Sequence, residues 1–142
     1  SRIEAAAMAS RGAYIVTDTP KKPDVIMVAS GSEVATLVEG AALLAAEGIK
    51  SRIVSAPSEG LFRMQTKKYR DSVLTPGIPV FCLTAGLPVT MIGFAGSAGR
   101  IWGVESFGYS APYNVLDHEL GFTGENVAVQ VRRYIKELNI DR

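Results

Sequence analysis

Residues 24–55 constrain the fold more than any other stretch, because they spell out a complete strand–helix–strand unit. Asp24 is followed by the continuously apolar run Val25-Ile26-Met27-Val28-Ala29, closed by Ser30. A strand of that kind has no polar face to turn toward water, so it belongs in a sheet covered on both sides. Ser30-Gly31-Ser32-Glu33 then opens a helix reaching about Glu47. Within it Val34, Leu37, Val38, Ala41, Leu44 and Ala45 recur at three- and four-residue spacing and form one stripe. Gly48 stands where a left-handed residue terminates such a helix, and residues 52–55 return as a second strand. The two strands are expected to be parallel and joined by a right-handed crossover.

The flanking sequence continues the alternation. Tyr14-Ile15-Val16 reads as a short first strand outside the unit, followed by the turn-forming stretch 18–23. Residues 57–74 read as one or two charged helices broken near Thr66, residues 76–79 as a turn, and residues 80–83 as another buried strand. The glycine-spaced stretch 86–99 predicts loop with one short helix about 89–94, and residues 101–104 the last strand. Helices are expected at 112–120 and 124–138; in the second, Val127, Val131, Tyr134, Ile135 and Leu138 share a face and Thr123 is placed to cap it. The 142 residues show no internal repeat and no inter-domain linker, so an α/β fold in a single domain is expected.

Composition narrows the function classes. The net charge is +1, from 15 basic and 14 acidic side chains with the signs interspersed, which excludes a nucleic-acid footprint and a basic membrane-binding face. Tyr69, Trp102 and Phe107 are not interleaved with lysines as a base-stacking platform requires. Cys82 is the sole cysteine and lies between Phe81 and Leu83, which predicts a buried thiol and rules out an intrachain disulfide or a cysteine zinc cluster. No apolar run reaches the roughly 20 residues that span a bilayer, and residues 1–10 lack a signal-like core. A reducing, cytoplasmic location is the expectation.

Catalytic templates fail one after another. There is no G-x-x-x-x-G-K-[ST] loop and no G-x-G-x-x-G after the first strand–helix turn. Gly96-Ser97-Ala98-Gly99 approaches a serine nucleophile elbow, but Ala95 occupies the place of its first glycine. His118 is the only histidine; a metal site would need more ligands at helical spacing and only carboxylates such as Asp117 and Glu119 are near, so a partly exposed structural histidine is the favoured reading. Two strand-to-helix loops stand out. Ser30, Gly31 and Ser32 lie where free backbone N–H groups favour an anion; with Glu33 beside them to repel one, a helix cap formed by Ser30 or Ser32 is the favoured reading. Ser106, Phe107, Gly108, Tyr109 and Ser110 offer two aromatics without convergent charge, which suits a packed interface better than a ligand pocket.

Taken in order, these segments resemble one family. Gly12-Ala13-Tyr14, the run from Pro23-Asp24-Val25-Ile26 to Gly31-Ser32-Glu33-Val34, and Ala46-Glu47-Gly48-Ile49-Lys50 are similar to the opening of the transketolase C-terminal domain. Ser55-Ala56-Pro57-Ser58 with Leu61-Phe62 and Gln65, then Tyr69-Arg70-Asp71-Ser72-Val73-Leu74, resemble its S-x-P-S-x-x-L-F-x-x-Q and Y-R-x-S-V-L segments. Ser106 to Pro112, and Gly121-Phe122-Thr123 with Asn126-Val127, resemble its last two. Thr84-Ala85-Gly86 departs, standing where many members have a glutamate before A-G.

The resemblance implies a three-layer α/β/α domain with a five-stranded mixed sheet whose first strand is antiparallel, and it makes residues 1–12 the end of an inter-domain connection. It implies membership of an enzyme of the pentose phosphate pathway that moves a two-carbon ketol unit between sugar phosphates with thiamine diphosphate and Mg2+. In that family the cofactor lies between two upstream domains at a homodimer interface, so no catalytic, cofactor-binding or metal residue is expected in this chain, and the isolated chain is expected to be inactive. Domain packing and dimer assembly are the expected role. The alternative is a regulatory module that binds a nucleotide or sugar phosphate at the carboxyl edge of the sheet.

Overall fold

The computed structural model describes residues 7–86, 91–96, 98–103, 113–115 and 121–140. Its centre is β2 (Val25–Ala29), buried at every position as its unbroken apolar run requires. On one side β2 pairs in parallel with β3 (Ser51–Ser55), from Val25 opposite Ser51 to Ala29 opposite Ser55. On the other side it pairs in parallel with β4 (Val80–Leu83), from Ile26 opposite Val80 to Val28 opposite Cys82. β1 (Tyr14–Thr17) runs antiparallel along β3 with an irregularity between Ile15 and Thr17. β5 (Arg100–Gly103) and then β6 (Tyr113–Val115) extend the sheet in parallel beyond β4. The strand order is β1-β3-β2-β4-β5-β6.

Helices cover both faces, and the pleat decides which residue meets which layer. Val25, Met27 and Ala29 point toward α1 (Glu33–Ala46) and α5 (Gly124–Ile140), where they join Leu37, Leu44, Phe81, Trp102, Val127, Val131 and Tyr134 in one core. Ile26 and Val28 point the opposite way, toward α2 (Glu59–Arg63), α3 (Lys67–Val73) and α4 (Ile92–Ala95), and join Phe62, Val73, Cys82, Met91, Phe94 and Ile101 in a second core. The first core is built around an aromatic stack. The Phe81 and Trp102 rings lie 4.3 Å apart and nearly parallel, with Tyr134 tilted 5.5 Å from Trp102.

The expected α/β architecture and the antiparallel first strand are present, with two corrections. Among the described residues the expected mixed sheet carries one further, three-residue strand at its edge, and that strand falls where the sequence predicts a helix over 112–120. Tyr113-Asn114-Val115 consists of residues with weak helix propensity, and β5 offers it an unpaired ladder from Ile101 to Gly103. Pairing with that edge outweighs the helix expected there. The second correction concerns α1. Ser32 sits at φ −66°, ψ −23°, already in the helical region, and its side chain makes no capping bond. A capping hydroxyl reaches back to the first-turn N–H groups only from an extended backbone, the geometry that Ser58 and Thr66 do adopt at the starts of α2 and α3.

The other helix signals behave as the spacing predicts. Gly48 (φ 81°) ends α1 with its N–H on the Ala45 carbonyl and the Ile49 N–H on the Leu44 carbonyl, a left-handed closure that satisfies the last turn. Thr123 Oγ1 accepts from the Asn126 N–H at 3.1 Å and caps α5. Thr123→Ala should therefore lower unfolding free energy by about 1 kcal/mol, read as a shift in the urea midpoint at unchanged slope.

Candidate functional site

The carboxyl edge of the sheet is assembled from the ends of β2 and β3 and the start of α2. The half-buried Ser30 faces a cavity of about 420 Å3 together with Pro57, Ser58, Glu59, Gly60 and Met91. Ser58 Oγ is already engaged, accepting from the Leu61 N–H at 3.2 Å. Glu59 is held by Arg63 at 3.4 Å. Gly31 supplies the left-handed turn into α1 (φ 61°), and the position a Cβ would take there lies 3.9 Å from the Glu33 carboxylate. Of Ser30, Gly31 and Ser32 only Ser30 lines this cavity, and the lining carries hydroxyls and the Glu59 carboxylate and no cation. That donor set gives an anion no counter-charge to offset its desolvation.

The groups capable of covalent chemistry are quiet. Cys82 is fully buried, and burial pushes its thiol far above the ordinary range, so no thiolate forms near neutral pH. Burial likewise raises the Tyr134 phenol, with Arg100 pulling partly the other way, and its hydroxyl donates to the Ala98 carbonyl at 2.7 Å. Among the described residues no group of three or more His, Cys, Asp or Glu side chains could hold a metal ion, and no helix is long and apolar enough to cross a membrane. Ser97, His118 and the loop residues Ser106, Phe107, Gly108, Tyr109 and Ser110 lie outside the described residues.

Two arginines that sequence reading did not single out show the chemistry of the opposite face. Arg52, 8% exposed within β3, has its guanidinium well provided for. Its Nε donates to Asp18 at 2.9 Å, and one Nη donates to the Val73 carbonyl at 3.0 Å and to Thr75 Oγ1 at 2.8 Å. It fastens β3 to the turn after β1 and to the end of α3. Arg70 on α3 is half-buried and has a solvent-excluded Nε without any hydrogen-bond partner. It lines a cavity of about 440 Å3 between α2, α3 and α4 with Glu59, Phe62, Arg63, Asp71 and Leu74. The only sequence signal at Arg70 was its place in the Tyr69-to-Leu74 run.

This arrangement defines a three-layer α/β domain with a mixed sheet and helices on both faces. The chain belongs to the transketolase-like TK C-terminal domain family, whose model matches residues 12–123. It is 40% identical over 128 residues to the plasmid-encoded transketolase of Cupriavidus necator, covering 90% of this chain and 19% of that protein. To transketolase 1 of Escherichia coli it is 37% identical over 127 residues, covering 89% of this chain and 19% of the relative. Its structure superimposes on a transketolase of Pichia stipitis in complex with sedoheptulose 7-phosphate at a TM-score of 0.74 and 28% identity, covering 94% of this chain and 19% of that one. The chain thus spans about a fifth of the length of the relatives it matches.

Proposed function

We propose that this chain is the C-terminal domain of a transketolase, a cytoplasmic enzyme of the pentose phosphate pathway that transfers two-carbon ketol units between sugar phosphates, and that it serves domain packing and homodimer assembly. The observation that carries this reading is the family match across residues 12–123, joined to coverage of only 19% of each full-length relative. Residues 1–142 are then a single domain whose first twelve residues are the end of the connection to the upstream domains, and the loop Ser106 to Ser110 is a packing element with Phe107 and Tyr109 as its anchors.

The enzyme's cofactor, thiamine diphosphate with Mg2+, requires oxygen donors converging on the metal and a cradle for the diphosphate. Among the described residues no group of three or more His, Cys, Asp or Glu side chains could hold the metal, and no step of the reaction is assigned to this chain. The purified chain supplied with thiamine diphosphate, Mg2+ and sugar phosphates is expected to show no ketol transfer. Turnover that disappears on removing the cofactor would overturn the division of labour. A thermal-shift series with nucleotides and sugar phosphates tests the regulatory alternative in the same sample, because a ligand of the native state raises its apparent stability. No shift is expected at millimolar concentration.

A further inference from the structure

The face formed by α2, α3 and α4 carries a cation that the domain leaves without a counterpart. The Arg70 side chain makes no hydrogen bond or ion pair among the described residues, and its Nε–H is shut off from water as well. The contrast with Arg52, which donates from β3 to a carboxylate, a backbone carbonyl and a hydroxyl, shows that this fold does provide for a buried guanidinium. Buried donors are almost always satisfied in native assemblies, so an orphan beside an open cavity indicates an acceptor that arrives from outside the domain.

The charges around the cavity specify that acceptor. Glu59 is paired with Arg63, and Asp71 with Lys67, which leaves Arg70 as the charge in excess. A guanidinium presents a planar fork matched to one carboxylate. A free phosphate, with more negative charge to place, would meet Glu59 and Asp71 in the same lining. The helices that flank the cavity also expose apolar side chains: Leu61 is 44% exposed, Met64 81% and Ile92 41%, on α2, its C-cap and α4. A face that combines exposed apolar side chains with an arginine has the composition of a docking surface. The occupant is at hand, because relatives of this chain continue for four-fifths of their length beyond the region it covers.

We propose that Arg70 receives an aspartate or glutamate carboxylate from the remaining part of the full-length polypeptide, so that the α2–α3–α4 face is where this domain is docked. The proposal rests on the reading of the chain as one domain of a longer enzyme and names the surface through which it is held.

The test compares Arg70→Met, which keeps the aliphatic stem and removes the donors, in the isolated chain and in the full-length polypeptide. In the isolated chain the variant should unfold at the same urea concentration as the parent or a higher one, since an unsatisfied donor is removed. In the full-length polypeptide, amides of α2 and α3 should be protected from hydrogen exchange relative to the isolated chain, and Arg70→Met should raise their exchange on the order of 30-fold. Arg70→Gln, which retains a neutral donor, should fall between the two and serves if the Met variant does not fold. Equal destabilisation in both contexts would assign Arg70 to the domain's own packing and overturn the proposal. Protection on α1 with none on α2 and α3 would overturn it while leaving the domain reading intact; no protection on any face would overturn the domain reading itself. Two further outcomes also count against it: Arg70-dependent self-association of the isolated chain in sedimentation, which would make a second copy the occupant, and stabilisation of the parent but not the variant by inorganic phosphate.

Discussion

Gly12→Ala should cost about 4 kcal/mol of unfolding free energy, a large share of the roughly 10 kcal/mol that holds a domain together. Gly12 has φ 85°, a backbone conformation that L side chains adopt only at a cost. It also lies against the first turn of α2. Its carbonyl accepts from the Ser58 N–H at 2.9 Å, and the Phe62 N–H bonds the Ser58 carbonyl at 3.1 Å. A Cβ on Gly12 would fall inside the envelopes of Phe62 N and Ser58 O and 2.8 Å from the Leu61 carbonyl carbon. All three are backbone atoms, so no side-chain rotation relieves the overlap. The start of α2 must move, and Phe62, buried in the second core, moves with it. Gly48→Ala is the matched control. Gly48 has φ 81° with nothing within 4 Å of a Cβ, so it should lose only the conformational term of about 1 kcal/mol. Urea unfolding of the two variants separates the terms, and equal losses would show that the approach of Gly12 to α2 contributes nothing.

What could be read from the chain and what could not divide along a physical line. The unit at 24–55 was legible because its determinants are local: an apolar run that only a doubly covered strand can use, a helical stripe, and Gly48 closing the helix with the bonds expected of it. The break near Thr66 was legible for the same reason, since Thr66 Oγ1 takes the Tyr69 N–H at 3.1 Å. β6 was not, because three residues with no strong preference take their conformation from the edge they join. The capping role of Ser32 failed on a backbone angle that composition does not encode. Arg70 is the sharpest case. Isolation is a property of everything around a side chain, and the same Tyr-Arg pair in sequence would read identically had Glu59 turned toward Arg70 rather than Arg63.

Gly40→Leu should be the second severe substitution, at about 3 kcal/mol, because two glycines set the distance between α1 and α5. A Cβ on Gly40 would stand 2.7 Å from Val127 Cγ1 and 3.3 Å from the Gly124 carbonyl oxygen. A Cβ on Gly124 would stand 2.6 Å from Glu39 Cβ and 3.1 Å from the Gly40 nitrogen. Neither helix can carry a side chain at that point without separating from the other. Their shared interior holds Leu37, Leu44, Val127 and Val131, so separation opens the core. The smaller change Gly40→Ala makes the cause measurable, since two effects of opposite sign meet there. Alanine favours a mid-helix position over glycine by about 1 kcal/mol, while its methyl collides with Val127, which is fully buried and cannot swing away. In the parent the collision should win and Gly40→Ala should destabilise. In a Val127→Ala background the 2.7 Å contact with Cγ1 is gone, while those with the residue-127 Cβ at 3.0 Å and the Gly124 oxygen at 3.3 Å remain, so the same substitution should cost less there by about 1 kcal/mol. A double-mutant cycle by urea unfolding reads that difference directly. If Gly40→Ala has the same effect in both backgrounds, the approach of α1 to α5 is not what glycine at position 40 is there to permit.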